Sequence, residues 1–279
     1  MVLEQILDNT RIKKHALFVL FLTFFFVFLA YIVSVFFFGA YVSIAMLFTL
    51  TLLLSPALAH LIDLEEEIER KEGVHHFFRN HRNIIKVYFF AFLGVFFGFL
   101  VLGFFTDFNI TFDYQAHFLK EQQGLTNALI DDYLFHGYVP TLNNFLGLFT
   151  ENLTVMLITF VLAIFYGAGS MFLIVLNASV FSTFLVFVLN YSSKVIGHAF
   201  STIGVFLIHL LPEISGFFLA SIAGSLLSRG IIVEKIHSSN FAHILQDCAV
   251  FLFLATLLIL LGSYLEVYVS SQLMRMVMM

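Results

Sequence analysis

Phe165-Tyr-Gly-Ala-Gly-Ser170 closes one apolar helix with a glycine turn, Val175-Leu-Asn-Ala-Ser179 follows in the next apolar run, and His209-Leu-Leu-Pro-Glu213 interrupts a third. Between residues 152 and 230 these pieces set a carboxylate, an imidazole, an amide, a proline and several glycines into segments otherwise apolar enough for hydrocarbon. A carboxylate there costs roughly 3 kcal/mol or more unless it is paired, neutralised or facing water. This stretch is therefore where a function is expected.

The whole chain shares that apolar character. Of 279 residues, 61% are hydrophobic and 11% charged, against about 25% charged in soluble domains. The predicted fold is all-α, a polytopic transmembrane bundle in a single integral membrane domain, 1–279, with no soluble module. Phe is in large excess and Trp is absent, so the usual aromatic belt is incomplete. One cysteine, Cys248, excludes an internal disulfide and a multi-cysteine metal site. Nothing basic and extended enough for nucleic acid is present.

Outward from the core, residues 1–14 carry Leu3, Ile6 and Leu7 beside Arg11, Lys13 and Lys14, which fits an interfacial helix. Span one is expected at Ala16–Phe38; it is long for a signal peptide, lacks a clear cleavage site and is read as retained. After a turn at Gly39, span two covers Tyr41–Leu61 and span three Val87–Phe105, with Gly94 and Gly98 in a small-xxx-small face. These three N-terminal spans fill 1–105, with a charged cytoplasmic loop over 63–86 in which Glu66–Arg70 and Glu67–Lys71 pairs favour a helix. Residues 106–150 are acid-rich and read as external, with Pro140–Phe149 an amphipathic approach to the membrane. Asn109-Ile-Thr111 there is a glycosylation acceptor pattern.

Residues 151–279 form the core and last span. Span four is expected at Leu153–Leu176, and Val180–Leu189 as a thin span or re-entrant helix. Gly197–Leu211 and Glu213–Ile232 are predicted as two helices broken at Pro212, and Val250–Val269 is the final span. Six or seven spans fit. Lys and Arg at 11, 13, 14, 70, 71, 79, 82, 86, 229 and 235 fall on one side of this scheme, with Lys120, Lys194 and Arg275 on the other, which predicts a cytoplasmic N-terminus.

The candidate functional residues are Glu213, His209, Asn177 and Asn152. His209 and Glu213 are four apart and share a helix face unless Pro212 breaks it; they are either a proton-linked or partner-binding pair, or Glu213 simply begins a helix favoured by its dipole. Gly216, Ala220 and Gly224, with Ala163, Gly167 and Gly169, read as helix-packing positions. Asn177 needs only one interhelical hydrogen bond. Glu69, Glu72, His75 and His76 match no closed metal spacing and read as solvated helix surface. No catalytic residues, cofactor or metal are expected, since no nucleotide loop or nucleophile elbow is present.

Two resemblances follow from these residues. Glu65-Glu66-x-x-x-Arg70, Phe77-x-x-x-His81 and His76-x-x-x-Asn80 each resemble a signature of CAAX-protease-like intramembrane endopeptidases. In that family the motifs come from separate membrane helices, whereas here they share one charged loop, so the match reads as chance. The second resemblance samples most of the chain: Met1-Val-Leu-Glu4, Asn152, Phe165 to Gly169, Leu176-Asn-Ala-Ser179, His209 to Glu213, Ala220 to Gly224 and Leu265-Glu-Val-Tyr268. In their order and spacing these resemble the stage II sporulation protein M family, in the divergent form found in archaeal genomes. The family pattern usually has Asn-Gly at Asn177-Ala178 and His-Gly at His209-Leu210.

The resemblance implies a non-enzymatic multi-pass protein of the cell membrane, a scaffold or partner-recruiting component. Its expected partners are the lipid bilayer and other membrane or envelope proteins, with a homo-oligomer left open and no nucleic acid. The rivals are a proton-linked transporter or channel-like permease using Glu213 and His209, and thirdly an intramembrane protease.

Overall fold

The computed structural model describes residues 16–56, 81–122, 140–166, 171–191, 199–235 and 238–278, and every regular element among them is helical. In hydrocarbon each backbone donor and acceptor must be satisfied within its own segment, which leaves helices as the solution for such apolar runs. Helix α1 is Ala16–Phe38, α2 covers 42–56, α3 is Arg82–Phe105, α4 is the single turn Phe108–Thr111 and α5 is Asp113–Gln122. Helix α6 is Leu142–Tyr166, α7 Met171–Tyr191, α8 Ala199–Val233 and α9 Ser239–Leu265. A π-helical turn, Glu266–Ser270, joins α9 to α10, Ser271–Met278.

Among the described residues, six helical stretches are long and apolar enough to cross a membrane. The first, Leu17–Pro56, would be about 60 Å long if straight, twice the hydrocarbon thickness. It is not straight. Gly39 has φ +50° and opens the 3-10 turn Gly39–Tyr41 between α1 and α2, a conformation that costs glycine little and other residues more. The side-chain contacts then fix the directions. Thr23 of α1 donates to the Ala91 carbonyl of α3 at 3.2 Å, and Gly94 and Gly98 of α3 meet Leu20 and Val27 in the same order, so α1 and α3 are parallel. Ser182 of α7 donates to the Phe96 carbonyl and Val186 meets Gly103, so α7 runs with them. Phe48 of α2 stacks on Phe172, near the start of α7, while Ser43 reaches Ser179 through Gln115, so α2 runs back. Residues 16–56 are thus a helical hairpin.

In the second half, Asn152 meets Glu213 and Ala163 meets Gly224, so α6 and α8 are parallel, whereas Gly216 meets Ile259 and Gly230 meets Ile244, so α9 returns. His81 at the head of α3 lies against Asp247 near the head of α9. One end of the bundle therefore carries Arg82, Lys86, Arg229 and Lys235; we call it the Lys235 end. The other carries Asp107, Asp113 and the start of α6, and is the Asp107 end.

Four sequence expectations change. Pro212 does not break its helix: α8 is continuous across it, and its 35 residues rise about 52 Å. Pro140–Phe149 is not a separate approach segment: from Leu142 on it forms the first turns of α6. Span four ends at Tyr166, ten residues before the expected Leu176, and the next helix starts at Met171; residues 167–170 lie outside the described residues. The Val180–Leu189 run is neither thin nor re-entrant: it is part of α7, 21 residues long, which also contains Asn177.

The segment 106–150 also differs from a plain loop. The Thr111 and Gln115 side chains and Phe112 are buried. Gln115 accepts from Ser43 at 2.5 Å and donates to Ser179 at 3.2 Å, and the Tyr114 amide donates to Ser43, so α5 is clasped to α2 and α7. Asn109 is exposed on the turn of α4, which Asp107 caps by accepting from its amide; the Thr111 hydroxyl is buried and donates to Thr106. Residues 1–15 and 57–80, hence the interfacial helix, the Glu66–Arg70 and Glu67–Lys71 pairs and most of the endopeptidase-like motifs, lie outside the described residues, as do Gly167, Gly169 and Lys194.

Candidate functional site

Helices α6, α8 and α9 pack together with α8 in the middle, and small residues set how close they come. A Cβ at Gly224 would collide with the Phe160 carbonyl and Ala163 of α6, and one at Gly216 with Ile259 and the Ala255 carbonyl of α9. Ala220, between them, is fully buried. At Gly262 of α9 the missing Cβ is occupied from the opposite side by the Glu213 side chain. The close α8–α9 approach and the placing of Glu213 are thus one feature.

Glu213 is 3% exposed. By helical rise it lies about 21 Å from the start of α8 and about 30 Å from its end, within one of the helices long and apolar enough to span a membrane. Asn152 of α6 donates to its Oε1 at 2.9 Å. Glu266 also acts on it electrostatically; it stands one turn beyond Gly262, where α9 passes into the π-helical turn. Glu151, beside Asn152, acts in turn on Glu266. Such π-turns leave the regular hydrogen-bond ladder and recur at functional sites.

His209 is also 3% exposed and lies one turn earlier on α8. It does not bond to Glu213. Its Nδ1 is 3.0 Å from the Ser270 hydroxyl at the far end of the π-turn, and its ring packs edge-on to Phe206. Glu213 and His209 therefore both address the junction of α9 and α10, through separate partners. Pro212 sits between them and removes one α8 amide from the ladder.

Of the four candidate residues, the structure brings Asn152, Glu213 and His209 to this junction. Asn177 stands apart: it is half-buried on α7, and among the described residues no hydrogen bond joins it to the cluster. Sequence reasoning missed Gly262 and Ser270, and took Glu266 only as part of the Leu265–Tyr268 piece of the resemblance, not as a site residue. A signal for two of them existed, since a glycine one turn before a carboxylate in the last apolar run repeats the small-residue-and-acid pattern of α8. Among the described residues no three His, Cys, Asp or Glu side chains gather as a metal site.

Apolar helices of spanning length around a shared carboxylate define an integral, multi-pass membrane protein. Within that class the family is specific: the family model for Stage II sporulation protein M matches residues 87–271, well over half of the chain, and the chain belongs to that family. The matched region runs from α3 to the start of α10 and includes the whole Asn152–Glu213–His209 junction. No curated protein and no solved structure matches the chain.

Proposed function

We propose that the chain is a non-enzymatic, proton- or cation-linked permease-like protein of the cell membrane, with Glu213 as the group that takes up and releases the ion. The observation that carries this is the enclosure of Glu213 among three apolar helices of spanning length, with Glu266 beside it and one amide donor. Intramembrane carboxylates are costly, so a pair of them facing each other is retained where ions or protons pass. Asn152 orients one oxygen, Gly262 admits the side chain, and the π-turn lets the α9–α10 junction shift without unzipping a regular helix. The gathering of Arg82, Lys86, Arg229 and Lys235 at one end supports a cytoplasmic Lys235 end and, through the hairpin, a cytoplasmic N-terminus.

Recruitment of a partner at the Asp107 end is the second reading, and family membership favours it. The two separate on access to position 213. In a Glu213→Cys, Cys248→Ser protein, impermeant thiol reagents should leave position 213 protected from both sides, or label it from one side or the other as ionic conditions change. Rapid labelling from the Asp107 side under all conditions, as for a surface residue, overturns the permease and leaves the partner-recruiting scaffold.

A further inference from the structure

A second buried polar cluster lies toward the Lys235 end and takes no part in the site above. His81, the residue before α3, and Asp247 of α9 are both fully buried, with His81 Nε2 3.9 Å from Asp247 Oδ2. Neither Asp247 oxygen accepts a hydrogen bond among the described residues. The His81 ring packs edge-on to Phe251, one turn beyond Asp247. On the same face of α3, two turns on, Tyr88 is fully buried and its hydroxyl lies by Ser221 and Ser225 of α8. The ionisable groups on the elements packed there are His81 and Tyr88 of α3, Arg229 of α8, and His243 and Cys248 of α9; Arg82 and Lys86 point outward and are exposed.

A buried carboxylate without a donor on either oxygen is a costly arrangement, and a structure keeps it where something binds. The neighbour is an imidazole, which both gives and accepts a proton, at a separation too long for a direct hydrogen bond and short enough for one bridging water or a small ring movement. We propose that Asp247 and His81 together bind one exchangeable proton, forming a second ion station of the same α8–α9 seam, with the Ser221 and Ser225 hydroxyls, beside Tyr88, standing on α8 between the level of the pair and Glu213. The transfer balances within the pair: the imidazole nitrogen releases the proton that the carboxylate oxygen accepts, and the reverse on return. The station role rests on the permease reading, whereas proton binding by the pair does not.

Both are tested on the full chain in nanodiscs and proteoliposomes. Infrared difference spectra between acidic and alkaline buffer should contain carboxyl bands that vanish in Asp247→Asn and imidazole bands that vanish in His81→Gln, all retained in Glu213→Gln. Proton flux should fall about tenfold or more in Asp247→Asn, with His81→Gln reducing it as well. Spectra of Asp247→Asn and His81→Gln that superimpose on wild type overturn the proton site, even if Glu213→Gln abolishes flux. Bands that vanish as described in a protein that carries no flux support the proton site and overturn the permease instead. Should Asp247→Asn not fold, His81→Gln and aspartate-specific isotope labelling of the wild type give the same two outcomes.

Discussion

The Asn152 amide reaches across from α6 to Glu213 on α8 at 2.9 Å, so this buried carboxylate is aimed by a neighbouring helix and not by its own. Replacing Asn152 by Leu removes that donor while keeping the volume, and the orphaned oxygen should cost about 1–3 kcal/mol. Asn152→Asp should cost more, because it adds a carboxylate directly against Glu213, where Glu266 and Glu151 already gather negative charge. Unfolding of each variant in a denaturing-detergent titration orders the three proteins; equal midpoints for wild type and Asn152→Asp would contradict the contact.

Gly262 and Gly147 make a matched pair. A Cβ at Gly262 runs into Glu213, whereas one at Gly147, on the exposed flank of α6, meets nothing. Gly262→Ala should destabilise by about 1–3 kcal/mol through overpacking. Gly147→Ala should be neutral, or stabilising by up to about 1 kcal/mol as alanine replaces glycine in a helix. Thermal melts in mild detergent read both.

The Gln115 clasp ties α5 to the bundle through Ser43 and Ser179. Gln115→Leu removes one hydrogen bond from each of two buried hydroxyls, which keep their bonds to the Tyr114 amide and the Leu176 carbonyl, and should cost about 1–2 kcal/mol, in the upper range for interhelical hydrogen bonds in membranes. Hydrogen exchange over 108–122 should accelerate in that variant and not in Asn109→Ala, whose side chain is exposed.

Pro212 leaves the Ile208 carbonyl without its usual partner inside a helix that nonetheless continues. Pro212→Ala restores that donor. Its melting temperature should rise while ion flux falls, since His209 and Glu213 are re-aimed relative to the α9–α10 junction; a gain in stability with unchanged flux would mean the irregularity has no part in transport.

How much of this was legible in the sequence differs by level. Spans one and three, the turn at Gly39 and the packing role of Gly94 and Gly98 follow from apolar run length and glycine placement, and the structure has them. Helix α8 was misjudged because Pro212 is judged by local propensity, while packing on both α6 and α9 holds the helix together across it. Helix α7 is longer than the apolar run Val180–Leu189 because a polar residue, Asn177, is tolerated at a half-buried position of a 21-residue helix. Glu213 and His209 stand out by chemistry, whereas Asn152 enters through the family resemblance. Glu266 and Asp247 do not stand out, because each is a lone acid near a span end, where an acid is ordinary; only the antiparallel return of α9 brings them to Glu213 and His81.

The most direct measurement of the central claim is ion flux through purified protein in sealed vesicles. A proton-sensitive dye inside the vesicles follows the response to an imposed pH gradient for wild type and for Glu213→Gln, an isosteric change that leaves the Asn152 contact partly in place. A permease centred on Glu213 predicts flux above empty vesicles for wild type and a return to that background for the folded variant. Wild-type vesicles indistinguishable from empty ones across protons and alkali cations, or a folded Glu213→Gln protein with undiminished flux, would contradict it.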